Sequence, residues 1–133
     1  MTNIIDIYHF NSETTEPTDL EIKELVSSCL EKFGVNNYFV EINFVDTAHI
    51  HDLNQKYRNI DKPTDVLSFP QFNPVKPKLN FLGSIVICAK IVEEKEESIP
   101  DVVKHGLIHL LGYDHEEDAQ LWDQKAKIID CNL

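Results

Sequence analysis

Two kinds of hydrophobic periodicity alternate along the chain and predict strands separated by helices. Residues 4–10 and 38–45 alternate apolar and polar side chains and are rich in β-branched and aromatic residues, which is typical of strands with one buried face. Residues 20–33 instead repeat apolar side chains at helical spacing behind a capping box that begins at Thr18. Gly34 then stands where glycine commonly ends a helix. The first third therefore predicts a strand, a helix and a second strand.

The middle of the chain predicts a second helix and two further strands. Asp46 or Thr47 is expected to cap a helix that carries Tyr57 on its apolar face. Residues 65–70 form a short strand that ends in proline, and this favours an edge position because proline cannot donate to a ladder. Residues 81–88 are apolar enough for a central strand.

The last third predicts three helices after a proline-containing surface loop at residues 71–80. Residues 89–97 form an acidic helix, and Ser98 caps the next one. Apolar side chains surround most of that helix, so it should be the buried central helix. Residues 116–130 form a last helix with acids first and lysines late, as the helix dipole favours. The expected fold is α+β, a single layer of about four mixed strands packed with four to five helices.

Composition is consistent with one globular domain over residues 1–133, of which 42% are hydrophobic. No apolar run approaches the length of a membrane span, and the N-terminus lacks the basic and apolar regions of a secretory signal. Cys29, Cys88 and Cys131 are odd in number and widely spaced, so we interpret them as free thiols of a reducing cytoplasm. The predicted location is cytoplasmic.

Charge is unevenly distributed along the chain. The formal net charge of −11 argues against indiscriminate nucleic-acid binding, which depends on neutralising phosphates. Residues 47–92, however, contain six lysine or arginine residues against three aspartates, a local balance of +3. These cations indicate either a basic face on an acidic body or ordinary solvated side chains.

Three of the six histidines lie close together in sequence, at positions 105, 109 and 115. His105 and His109 are four residues apart, so on a helix their imidazoles share one face. Gly112 is expected to end that helix and to turn the chain so that His115 returns toward the other two. Three imidazoles with a fourth position open to water are typical of a catalytic zinc site, and we predict one Zn²⁺ here.

The same histidines have a simpler interpretation, as buried helical side chains satisfied by hydrogen bonds. The pattern also resembles the H-E-x-x-H-x-x-G-x-x-H signature of metzincin proteases, except that Gly106 occupies the position of the glutamate general base. Because glycine cannot accept a proton from a metal-bound water, the sequence argues against peptide hydrolysis by that mechanism.

Two sequence blocks together resemble one known family. His-Gly-Leu-Ile-His-Leu-Leu-Gly-Tyr-Asp-His at residues 105–115 is similar to the signature H-G-x-x-H-L-x-G-Y-D-H of the YbeY family of bacterial endoribonucleases. Leu-Asn-Gln-Lys-Tyr-Arg at 53–58 and Asp-Lys-Pro-Thr-Asp-Val-Leu-Ser-Phe-Pro at 61–70 are similar to its second hallmark. The resemblance covers roughly residues 40–120. One departure is Ser84, where the family commonly has an acidic residue.

The resemblance implies a zinc-dependent, single-strand-directed endoribonuclease that acts in maturation of the small-subunit ribosomal RNA 3′ end and in ribosome quality control. It assigns the three histidines to the metal and makes Arg58 the functional basic residue, suited to clamping a phosphate. RNA and a ribosomal protein are the implied partners. Four lysines are further candidates for backbone-phosphate contacts: Lys56, Lys62, Lys76 and Lys78.

Two other functions stay open at the level of sequence. One is a metallopeptidase or other metal hydrolase that receives an extended peptide along the edge strand at residues 65–70. The other is a non-catalytic, ribosome-associated module whose zinc only stabilises residues 105–115.

Overall fold

A computed structural model describes residues 3–12, 16–70 and 80–112. Within these ranges the chain forms four strands and four helices, as the periodicity predicts. In chain order they are β1 (Ile4–Phe10), α1 (Asp19–Lys32), β2 (Tyr38–Val45), α2 (Thr47–Arg58), β3 (Val66–Pro70), β4 (Asn80–Ile87), α3 (Ala89–Glu94) and α4 (Ile99–Leu110).

The strands form one mixed sheet in the order β1-β2-β4-β3. β1, β2 and β4 run parallel, whereas β3 pairs with β4 in the antiparallel sense. Both positional predictions are confirmed, since β4 is central and β3 lies at an edge of the sheet. The proline at the end of β3 is Pro70, which pairs with Gly83.

The larger hydrophobic core lies on one face of the sheet, under α1 and α4. Val40, Ile42 and Phe44 of β2 are each fully buried there, which confirms the predicted alternation of this strand. α4 contacts β3, β4 and α1, so it is the buried central helix. A smaller core lies on the other face, where α2 packs; its buried members are Val45, Ile50, Leu67, Val86 and Cys88.

Helix ends follow side-chain capping. Thr18 Oγ1 accepts from the Glu21 amide at 3.2 Å, and the Glu21 carboxylate accepts in return from the Thr18 amide at 3.1 Å, so the capping box is confirmed. Asp46, rather than Thr47, caps α2. α3 ends at Glu94, and its predicted extension to residue 97 is wrong because Glu96 adopts a left-handed φ of 57°.

Tyr57 corrects the predicted apolar face of α2. Its side chain is 57% exposed rather than buried. The ring contacts Phe69 edge-on, with centroids 5.2 Å apart, and Lys56 Nζ lies 5.2 Å from its centroid. Tyr57 therefore borders the smaller core instead of filling it.

Several predictions fall outside the described residues, namely the helix at 116–130, most of the loop at 71–80, and Cys131. Cys29 and Cys88 are both buried. Over the residues that the structure covers, every helix is too short or too polar to cross a lipid bilayer.

Candidate metal and RNA site

α4 carries the first two histidines of the candidate site. Ser98 caps the helix by accepting from the Asp101 amide at 3.2 Å, and Pro100 occupies the first turn, where its missing N–H does no harm. The buried residues of α4 are Val102, Val103, Lys104, Gly106, Leu107, Ile108 and Leu110. They leave a narrow strip of the helix open to solvent.

His105 and His109 both lie on that strip, together with Asp101 one turn earlier, and all three side chains are exposed. Their four-residue spacing on a regular helix places the two imidazoles on one face, as predicted. An apolar helix that opens to solvent on this one side is rigidly anchored, so it holds two nitrogen donors of the type that zinc accepts.

The turn after α4 is also as predicted. The helix ends at Leu110, and Gly112 adopts a left-handed φ of 93° while its amide donates to the His109 carbonyl at 3.0 Å. His115, the third predicted ligand, lies outside the described residues. No group of three metal-ligating side chains occurs among residues 3–12, 16–70 and 80–112. Zinc binding therefore stays a prediction. The structure describes two of the three proposed donors, His105 and His109.

Gly106 faces the sheet rather than the exposed strip. A Cβ at this position would lie 2.9 Å from Ile85 Cδ1 and 3.0 Å from its Cγ2. The position that carries the general base in the metzincin signature is thus packed against a fully buried isoleucine. A glutamate here would have to displace the Ile85 side chain or the helix and to bury its charge, so packing also argues against that mechanism.

His105 lines a groove of about 540 Å³, together with Glu97, Asp101 and Lys104. Arg58, at the last position of α2, lines a different groove of about 490 Å³ with Asn54, Lys62 and Lys95. No residue is common to the two grooves.

The connection after α3 borders both grooves. Glu94 and Lys95 line the groove of Arg58, and Glu96 and Glu97 line that of His105. A substrate that occupied both grooves would therefore cross the short segment 94–97.

The four lysine candidates differ in position. Lys62 lines the Arg58 groove, and Lys56 is exposed beside the Tyr57 ring. Lys76 and Lys78 lie outside the described residues. Of the two lysines that the structure describes, Lys62 is the one beside the predicted functional arginine.

Asp65 connects the two grooves through hydrogen bonds and charge. Its Oδ1 accepts from the Val66 amide at 2.9 Å and the Thr64 hydroxyl at 3.1 Å, and lies 3.6 Å from Lys95 Nζ. Burial raises the pKa of Asp65, but hydrogen bonds from Glu97 and Thr64, together with the Lys95 charge, outweigh it and hold this pKa below its usual value. The hydrogen bond to Asp65, partial burial and the Asp65 charge raise the pKa of Glu97. Of the two carboxyl groups, Glu97 is the one that holds a proton more readily.

Replacing Glu97 with glutamine is expected to raise the melting temperature at pH 7. The raised pKa means that folding disfavours the ionised form of Glu97. The resulting loss of stability is complete at pH values above the folded-state pKa and absent below the unfolded-state pKa. Glutamine removes the charge and still donates to Asp65. The difference between variant and wild type should therefore disappear as the pH falls below about 4, the usual glutamate pKa.

Thermal melts from pH 3 to pH 8 check this prediction, with the exposed Glu93→Gln as the matched control. An equal effect of both substitutions, or a difference that persists at low pH, would contradict it.

Ser84, the departure from the family signature, has a carboxylate beside it. Its hydroxyl donates to Glu41 Oε2 at 3.0 Å across the β2–β4 pair. An acidic group is therefore present at this point of the sheet, although it belongs to the neighbouring strand.

Sequence reasoning missed Asn54, Lys95 and Glu97 as residues of these grooves. Asn54 carried a detectable signal, because it follows the buried Ile50 by four residues and so places a polar side chain on the buried face of α2. Lys95 and Glu97 carried none, since both looked like solvated charges of an acidic helix.

Comparison with known proteins points to one family. A family model described as endoribonuclease YbeY matches residues 7–129. A protein of Alteromonas mediterranea with the name endoribonuclease YbeY is 37% identical, over 98% of this chain and 90% of its own length. A protein of the same name from Clostridioides difficile is 34% identical, over 96% of this chain and 92% of its own length.

One solved structure is also similar. The solution structure of a Thermotoga maritima protein superimposes with a TM-score of 0.59 at 26% sequence identity. The match covers 96% of this chain and 87% of that one. The mixed four-stranded sheet with its helices is therefore an arrangement that a measured structure shares.

Proposed function

The chain belongs to the YbeY family of endoribonucleases, and from this membership we propose that it is a zinc-dependent endoribonuclease for single-stranded RNA. The proposed substrate is ribosomal RNA, with action at the small-subunit 3′ end and in ribosome quality control. The proposed location is the cytoplasm, with a ribosomal protein as partner.

The observation that carries the metal part of the proposal is the pair of exposed histidines on the otherwise buried α4. Two imidazoles one turn apart suit Zn²⁺, and His115 beyond the Gly112 turn is the proposed third donor. When bound, such an ion supplies a Lewis acid for a phosphoryl oxygen and a water of pKa about 7. The buried helix fixes the backbone positions from which the two rings extend.

Arg58 is the proposed phosphate clamp. It is exposed at the C-terminus of α2 and lines a groove with Lys62 and Lys95, so a local excess of positive charge exists on a chain whose net charge is −11. A guanidinium stays charged at every physiological pH and can donate two parallel hydrogen bonds to phosphate oxygens. It would hold the RNA backbone and offset charge that develops on the phosphate.

The packing of Gly106 against Ile85 argues against the metallopeptidase alternative. Chelation of zinc from the purified protein distinguishes a catalytic ion from the non-catalytic alternative. A folded but inactive metal-free chain supports catalysis, whereas unfolding on chelation supports a purely structural ion.

Arg58→Ala is expected to lower kcat/KM for a single-stranded RNA about 100-fold, because removal of one group that stabilises developing charge typically has an effect of that size. Zinc content should not change, since Arg58 is not a proposed ligand. Arg58→Lys should recover part of the activity, because it keeps the charge and loses the bidentate geometry.

RNA cleavage and zinc content of these variants are compared with those of Lys23→Ala, an exposed cation on α1. Wild-type cleavage by Arg58→Ala would remove this residue from the mechanism.

A further inference from the structure

The groove beside Arg58 combines a surplus of cations with a buried polar atom. Its volume is about 490 Å³, and its charged lining residues are Arg58, Lys62 and Lys95 against Glu94, while Asp65 outside the lining lies 3.6 Å from Lys95 Nζ. This composition opposes a cation as ligand and favours an anion, in contrast to the acidic chain as a whole.

Asn54 lies on the inner side of this groove and is only 2% exposed. Its Nδ2 donates to the Lys62 carbonyl at 2.8 Å, which fastens the loop 59–64 to α2 and fixes the orientation of the carboxamide. Its Oδ1 is buried and has no hydrogen-bond partner in the part of the chain that the structure describes. Buried acceptors are nearly always satisfied, so a missing donor at this atom requires an explanation.

Asn54 lines the groove, so a molecule bound there can supply the missing donor once the loop 59–64 opens. The donor must be small, must approach past the loop 59–64, and must belong to a molecule that the cations attract. A ribonucleotide meets all three conditions. Its phosphate suits Arg58, Lys62 and Lys95, and its ribose 2′-hydroxyl is a compact donor close to that phosphate.

We propose that this groove is a ribonucleotide subsite, in which the three cations hold a backbone phosphate and Asn54 Oδ1 accepts from the 2′-hydroxyl of the attached ribose. The proposal rests on the proposed function and deepens it, because it names the group by which the enzyme distinguishes RNA from DNA. Asn54 is then a specificity-determining residue, with no part in bond cleavage. Admission of the hydroxyl opens the loop 59–64 and breaks the Asn54 Nδ2–Lys62 carbonyl hydrogen bond that fastens it.

The test is a double-mutant cycle between protein and substrate. A short single-stranded RNA and a series of copies, each with one 2′-deoxy nucleotide, are titrated by fluorescence anisotropy against the full chain, with and without EDTA. Wild type should bind one of the deoxy copies about 3- to 10-fold more weakly, the usual size of one lost hydrogen bond. Asn54→Ala should bind that copy and the all-ribose RNA equally.

Two controls separate recognition from loss of structure. The exposed neighbour Gln55→Ala should keep the wild-type pattern. Asn54→Asp keeps an acceptor, so it should weaken all oligonucleotides through its charge but retain the penalty at the same nucleotide. Melting curves check the fold of each variant, and the 2′-deoxy series with wild type still tests the subsite if the alanine variant does not fold.

Equal affinity of wild type for the all-ribose RNA and every 2′-deoxy copy would overturn the subsite. So would an Asn54→Ala variant that still binds the same deoxy copy more weakly than the all-ribose RNA. A uniform loss of affinity in Asn54→Ala would show that the residue only supports the loop. RNA cleavage by the same preparations distinguishes this failure from that of the proposed function. If cleavage depends on Arg58 but all 2′-deoxy copies bind equally, the endoribonuclease proposal is supported and only the subsite is rejected.

Discussion

His109→Ala is expected to lose bound zinc and to cleave RNA more than about 100-fold more slowly, while it stays folded. Mutation of a residue that merely orients a metal ligand typically lowers metal affinity or activity 10- to 100-fold, so loss of a ligand itself should have a larger effect. The fold should survive because His109 is exposed on α4, whereas the residues that anchor this helix are buried. His105→Ala and His115→Ala should behave alike, since all three are proposed to share one ion.

Metal analysis of protein purified without added metal is the first measurement, because contaminating nuclease does not affect it. His49→Ala is the matched control, since this histidine is exposed on α2 and is not a proposed ligand. Full zinc content in the α4 variants would end the metal proposal. Loss of zinc together with unfolding would indicate an ion that serves structure.

Gly83→Ala is expected to destabilise the fold by about 3–5 kcal/mol, which combines strain at an unfavourable φ with overpacking. Gly83 has a φ of 146°, and a Cβ here would lie 2.5 Å from the Phe69 carbonyl oxygen and 2.7 Å from Leu110 Cδ2. The backbone oxygen cannot move away without breaking the pairing of β3 with β4. An effect of this size is a large part of the 5–15 kcal/mol that stabilises a typical domain.

Gly34→Ala provides the control for φ alone. Its φ is 71°, and a Cβ there would meet nothing within 4 Å, so we expect a loss of only about 1–2 kcal/mol. Urea denaturation of both variants measures the difference in the free energy of unfolding. Equal losses would mean that the contact with Phe69 and Leu110 is absorbed by small shifts.

Elements with strong local signals were predictable from sequence. The alternation over Tyr38–Val45 and the capping box at Thr18 each depend on interactions within a few residues, and both are confirmed. α3 shows the limit of this reasoning. Its end depends on Glu96 adopting a left-handed conformation that glutamate seldom takes, so the residue type gave no warning.

The candidate site likewise has one part that the sequence predicts and one part that only packing decides. The shared face of His105 and His109 is a property of the helix itself and follows from their spacing in the sequence. The position of Asn54 beside Arg58 follows from the same four-residue spacing. That Lys95 lines the same groove does not, because the segment after α3 is brought to α2 and its following loop only by packing.

By itself, the sequence determined the order and type of the elements, the helical pair of histidines and the family resemblance, because each depends on neighbours in the chain or on a contiguous motif. Tertiary structure alone decided which face of α4 is open, which side chain packs on Gly106, and that Lys95 lines the groove of Asn54 and Arg58. These properties come from contacts between residues far apart in the chain, and local periodicity carries no information about them.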